Sequence, residues 1–200
     1  ATTEIYTLTL HDALPILHTD IYKTTMRNGL YMGVLFSVNF LLSSSRNLVL
    51  ILLSYLVIAM IIGTTYRLAI QFRDRDSGGF ISFGKVLSFV LLTFFFGGII
   101  SALFKILYTS FINTEFLPQL YEEGLRQLEN NRALLERFIT MDEAYYDQVE
   151  RQFRPVNYAF QAIWANLLSG LILGLLLGGI IRKKRGLFDE DNQQLPGAEN

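Results

Sequence analysis

Residues able to do chemistry are few in this chain, and they do not gather. There is no cysteine, and the two histidines are His11 and His18. Thiolate nucleophiles, disulfides and His/Cys metal ligation therefore have no residue set to build on. Carboxylates inside a membrane segment would mark an ion path or an acid–base site, yet the long apolar runs hold no Asp, Glu or His. Ser54 and Ser101 are lone hydroxyls with no base nearby in sequence, and hydroxyls in such helices are expected to bond their own backbone. The residues predict no enzyme, no catalytic group, no cofactor and no metal. Asn39, Gln161 and Asn166 are the polar side chains left at or near membrane depth. They would line a polar path or hydrogen-bond between helices.

The elements that must position these residues are apolar. Of 200 residues, 51% are hydrophobic and 18% charged, with a formal net charge of −1, and the mean hydropathy is +0.33. That balance excludes a disordered chain, a coiled coil and a nucleic-acid binder with a basic surface. The partner it predicts first is the lipid bilayer, and no nucleic acid.

Residues 47–66, NLVLILLSYLVIAMIIGTTY, carry no charge. Their 11 Leu, Ile and Val side chains supply roughly −3 to −7 kcal/mol of insertion free energy, and about twenty such residues cross a hydrocarbon core of about 30 Å. Residues 86–104 and 155–181 are likewise uncharged. Lys105, at the edge of its run, can snorkel to the interface, and Tyr158 and Trp164 suit an aromatic belt. The weakest run is 28–42, interrupted by Ser37 and Asn39. It reads as a span because a short loop, 43–47, joins it to the next. The prediction is an all-α integral membrane bundle of four transmembrane helices, at about 26–44, 48–70, 84–111 and 156–182. An extracytoplasmic helical insertion, 114–154, separates the last two.

Basic residues set the orientation. Lys23, Arg27, Arg67, Arg73, Arg75, Lys85, Arg182, Lys183, Lys184 and Arg185 fall on one side in short segments, while the opposite side's Lys and Arg are spread through a long loop. Both ends of the bundle are thus expected to be cytoplasmic, with residues 187–200 a disordered cytoplasmic tail. In the insertion, nine acids face five arginines. Asn113 or Thr114 is expected to cap its first helix, Asn130-Asn131 to break it, and Leu134, Leu135, Phe138 and Ile139 to form a second helical stretch. Thr140 with Glu143 has the form of a capping box, and Lys105 and Arg154 are candidates to pair with the insertion's acids.

Small residues recur at helical spacing: Gly29 and Gly33 before Ser37, Gly97 with Ser101, Gly98 with Ala102, and Gly170, Gly174 and Gly178. Such ridges let membrane helices approach closely, either within one bundle or between subunits of a homo-oligomer. Between the second and third spans come Arg67, Arg73, Arg75, Gly78-Gly79 and Ile81-Ser82-Phe83-Gly84. The pair of glycines permits a tight turn, and the arginines would anchor it at an anionic leaflet. A phosphate site on the free amides there lacks any glycine-rich phosphate motif to support it.

This arginine-rich end, the Gly-Gly and the ISFG start resemble the signature of a bacterial inner-membrane family, domain of unknown function forty-one ninety-nine. The similarity continues through Ile100-Ser101-Ala102-Leu103-Phe104 and Tyr108-Thr109-Ser110-Phe111-Ile112 and covers roughly residues 20–186. The family often reads Asp-Pro where this chain has Asn113-Thr114. The resemblance implies four transmembrane helices in a bacterial inner membrane and no established activity.

Residues 3–16, TEIYTLTLHDALPI, resemble a translated sequencing-adapter read-through, differing only in Thr9 for Ser. They are expected to be non-native and are set aside from the fold. Two readings of function follow. The first is a non-enzymatic scaffold or accessory subunit that meets an envelope protein partner through 114–154. The second is a homo-oligomeric small-solute transporter or channel using Asn39, Gln161 and Asn166.

Overall fold

The computed structural model describes the backbone of residues 2–45, 47–138 and 140–182, and the side chains among these from Ile21 onward. Regular structure there is helical: α1 (Thr2–Ser43), α2 (Leu48–Gln71), α3 (Phe83–Leu107), α4 (Phe116–Asn130), α5 (Arg132–Leu135), α6 (Glu143–Gln152) and α7 (Pro155–Ile181). α2 and α3 each run on through a wider π-type turn, Phe72–Asp76 and Tyr108–Ile112. Counted with these turns, three helices among the described residues are long and apolar enough to cross a membrane: Leu48–Asp76, Phe83–Ile112 and Pro155–Ile181. Arg46, Ile139, Lys183, Lys184, Arg185, the side chains of 3–16 and the tail 187–200 lie outside the described residues.

α3 is the central helix, flanked along its length by α1 and α7. The register follows from the glycines. Gly29 meets Phe96 and Gly33 meets Ile100, so α1 runs parallel to α3; Gly170 meets Phe94 and Gly178 meets Phe83, so α7 runs antiparallel. α2 lies mainly against α1 and contributes Val57, Ile61 and Ala69 to a core with Met32, Phe36, Val86, Phe89, Val90 and Phe94. The face α2 turns away carries exposed Leu52, Leu53, Leu56, Met60 and Ile62, an apolar surface of the kind that membrane-crossing helices present.

At one end of the bundle, α2 turns into α3. Phe72 is buried and stacks on Phe89, with ring centroids 4.5 Å apart, and Ile81 is buried beside them. Two apolar plugs thus hold the turn while its charges stay outside. Gly78 and Gly79 adopt φ of 64° and 84°, the left-handed region where a Cβ costs about 1–2 kcal/mol. Ser82 then caps α3, its Oγ accepting from the Lys85 amide at 3.4 Å.

At the other end, several local expectations are corrected. α4 starts at Phe116 behind Glu115 without a side-chain cap, and Asn113 Nδ2 instead donates to the Tyr108 hydroxyl at 3.4 Å. The second helical stretch shrinks to the single turn of α5, leaving Leu134 and Phe138 exposed. The box on Thr140 does not form. Asp142 caps α6, its Oδ1 accepting from the Tyr145 amide at 2.9 Å, because a carboxylate caps at least as well as a hydroxyl.

Candidate functional site

The chemistry-bearing groups that the fold does bring together lie at the end carrying α4–α6. Phe40, buried at the last turn of α1, touches four rings: Phe104 and Tyr108 of the third long helix, Phe116 of α4 and Tyr158 of α7, with centroids 5.4–6.5 Å apart. Edge-on pairs of this kind contribute about 0.5–1.5 kcal/mol each beyond their buried area. One side chain therefore ties α1, α3, α4 and α7 together. Lys105 joins the cluster. Its Nζ stands 5.1 Å from the Phe40 centroid and 6.0 Å from that of Tyr158.

The expected pairing of Lys105 and Arg154 with acids of the loop is not what the structure shows. Among the described residues neither makes an ion pair. The acids of α4 and α6 are exposed, and Lys105 meets rings. Beyond the cluster opens a cavity of about 1400 Å³, roofed by α4 through Glu123 and Arg126 and walled by Leu41, Leu50 and Ile51. The Phe40, Tyr108, Phe116 and Tyr158 rings form its inner wall.

α4 and α6 fold into a hairpin fastened to α7. The Tyr121 and Phe153 rings meet edge-on at 5.5 Å. Gly124 leaves room for Phe153, 3.5 Å from where a Cβ would stand. Asn157 Nδ2 donates to the Arg151 carbonyl at 2.7 Å, and Gln161 Nε2 to the Gln152 carbonyl at 3.3 Å. Gln161 thus fastens the end of α6 to α7. At the tip, Leu134 is 60% and Phe138 80% exposed.

The Tyr146 hydroxyl, on α6, donates to Glu129 Oε1 on α4 at 3.2 Å. Desolvation of the phenol and this hydrogen bond raise the Tyr146 pKa above its ordinary value of 10.0. A raised folded-state value means the link is fully present below the unfolded tyrosine's pKa and is lost as pH rises through the folded one. Proteolysis of the 136–141 stretch is expected to accelerate in that alkaline window. Tyr146→Phe should be cut faster at neutral pH and show no alkaline step.

The other polar residues stay apart. Asn166 rests on Gly98, its Cβ 3.4 Å from where a Cβ on that glycine would stand. Asn39 Oδ1 is buried without a hydrogen-bond partner among the described residues. None of these contacts joins Asn39, Gln161 and Asn166 to one another. Ser37, Ser54, Thr65 and Thr93 bond carbonyls of their own helices at 2.6–2.8 Å. Ser101 departs from that expectation, since its Oγ is fully buried with no partner among the described residues. An unmade buried hydrogen bond costs about 1–3 kcal/mol. Ser101→Ala is therefore expected to raise stability by about 1 kcal/mol, read as a higher thermal midpoint in detergent; a lower midpoint would assign the hydroxyl a partner.

The glycine ridges face inward. A Cβ on Gly29, Gly33 or Gly170 would stand 2.5–2.7 Å from the Cβ of Phe96, Ile100 or Phe94. On Gly97, Gly174 and Gly178 it would meet Gly33, Leu87 and Phe83 at 2.8–3.1 Å. At the opposite end, Arg67, Arg75 and Arg182 are exposed, as are Phe83 and Gly84. Arg73 pairs with its neighbour Asp74 at 2.7 Å. Gly78 and Gly79 have open space around them.

No curated protein and no solved structure matches the chain. The family model described as "Protein of unknown function (DUF4199)" matches residues 27–183. That stretch runs from the glycine-bearing half of α1 to just past the end of α7 and takes in the aromatic cluster, the hairpin and the Gly-Gly turn, so the chain belongs to the DUF4199 family.

Proposed function

We propose that this chain is a four-span protein of a bacterial inner membrane that acts without catalysis, as a scaffold or accessory subunit, through the helical segment 114–154. The fourth span is the second half of α1. Its residues 26–43 are about 27 Å long at 1.5 Å per residue, close to the hydrocarbon thickness, and they lie beside the middle of α3. Their outward face is apolar: Met26, Leu30, Tyr31, Val34, Val38 and Leu41 are exposed. Their small and polar residues, Asn28, Gly29, Gly33 and Ser37, are buried. The dense basic residues beside the Gly-Gly turn support a cytoplasmic side for that end and for both ends of the bundle. The hairpin then lies outside.

The observation that carries the reading is a hairpin fastened at its base to α7 while Leu134 and Phe138 stand exposed at its tip. Exposed apolar side chains on an ordered, charged element fit recognition of a protein surface. Native mass spectrometry of the full chain, gently extracted and compared with Leu134→Glu/Phe138→Glu, tests it. A stoichiometric foreign subunit lost in the variant supports the accessory role; a homo-oligomer unchanged in the variant sinks it. The transporter reading draws less support, because the small-residue ridges it would use between subunits are occupied within the chain and its three polar residues do not converge.

A further inference from the structure

We infer that the cavity beside the aromatic cluster is a binding site for an anionic amphiphile, with Lys105 meeting the anionic group and Leu41, Leu50 and Ile51 the chain. Lys105 is a half-buried cation with no acidic partner among the described residues, held between the faces of Phe40 and Tyr158. Rings compensate a cation weakly, by about 0.5–2 kcal/mol, much less than a charge loses on leaving water. Such a group favours a counter-anion wherever one can reach it.

The same two rings line the 1400 Å³ cavity. Lys105 does not itself line the cavity; its amine stands against these two lining rings on a flexible four-carbon stem that lets it reach past their edges. The charged residues lining the cavity, Glu123 and Arg126, have opposite signs, so Lys105 next to it is the charge without an acidic partner among the described residues. Tyr158 belongs to the same wall. The other side is open and carries Leu41, Leu50 and Ile51 beside Ser43, Ser44 and Ser45. Leu41 and Leu50 are partly exposed, and Leu50 and Ile51 belong to the first turn of an apolar helix, so an acyl chain leaving the cavity passes onto surface that a bilayer covers. A charged head and a lipid-facing exit on one cavity fit a phospholipid of net negative charge better than a free anion, and the site does not depend on the hairpin having a protein partner.

The test uses the full chain in non-ionic detergent, with native mass spectrometry counting bound lipid. Phosphatidylglycerol and phosphatidylcholine are supplied in equal amounts. Wild type is expected to retain one phosphatidylglycerol with about tenfold preference, as one charge-assisted contact allows. Lys105→Gln should abolish the preference and Lys105→Arg keep it. An equal preference in wild type and Lys105→Gln, or none in wild type, overturns the site. Displacement of the lipid by millimolar inorganic phosphate alone would overturn the amphiphile and assign a phosphate site instead. Leu50→Trp alters only the exposed exit and leaves the charge in place. It should lower retention severalfold, and should Lys105→Gln not fold, unchanged retention in Leu50→Trp overturns the proposal.

Discussion

Gly33→Leu is expected to prevent assembly of the bundle, and Gly29→Ala, Gly33→Ala and Gly170→Ala to destabilise it by about 1–3 kcal/mol each. At these three positions an added Cβ would stand 2.5–2.7 Å from the Cβ of a residue on α3. A Cβ cannot rotate out of the way as the end of a flexible side chain can, so the helix axes must separate. Separation removes the dispersion contacts that hold apolar helices together where lipid competes equally well for their surfaces. Gly63 and Gly179 are the internal controls. They lie on helices yet meet nothing within 4 Å, so alanine there should be neutral or raise stability by about 0.5–1 kcal/mol through helix propensity. Unfolding of each variant in mixed micelles, followed by circular dichroism, separates the two groups. If Gly33→Ala and Gly63→Ala shift the midpoint alike, close packing on α3 is not what the ridge provides.

The same contacts explain what was readable from sequence. The three strongest runs were legible because helices long and apolar enough to cross a membrane leave long uncharged stretches. The structure places their boundaries within a few residues of the expected ones, apart from the π-type turn that carries the second on to Asp76. The first run is weak for a physical reason. Its packed face at Asn28, Gly29, Gly33 and Ser37 is small and polar, so burial against α3 lowers the average hydropathy instead of raising it. The glycine spacing was visible in sequence, but its partners were not. Whether such a ridge joins helices or subunits depends on what lies opposite, and Phe94, Phe96 and Ile100 become opposite only once α3 is central.

The loop end was the least legible part. Phe40, Lys105, Phe116 and Tyr158 come from four helices, and no spacing in the chain relates them. Reading Lys105 as a partner for loop acids weighed charge alone, whereas the geometry gives it rings. The cap of α6 turned on a choice between Thr140 and Asp142, two good capping residues. Asp142 does cap, and Tyr146 on the helix it starts meets Glu129.

Phe40→Ala follows from this convergence. Its ring is 6% exposed and is shared by Phe104, Tyr108, Phe116 and Tyr158, so truncation leaves a cavity where four elements meet and is expected to cost about 3–5 kcal/mol. The loss should be unevenly felt. α1 keeps its glycine contacts along α3, while α4 loses the Phe40 contact at its first residue and stays held through the pairs of Phe116 with Tyr108 and Tyr158, the Tyr121–Phe153 pair and the Tyr146–Glu129 bond. Hydrogen exchange should accordingly speed up across α4 and the start of α7 by more than an order of magnitude, with the Gly-Gly turn at the far end unchanged. Phe40→Leu, which refills most of the volume without the edge-on ring contacts, should recover more than half of the stability. Uniform loss of protection along all helices would mean that the ring supports the whole bundle, and equal stability of the leucine and alanine variants would mean that filled volume counts for little at this junction.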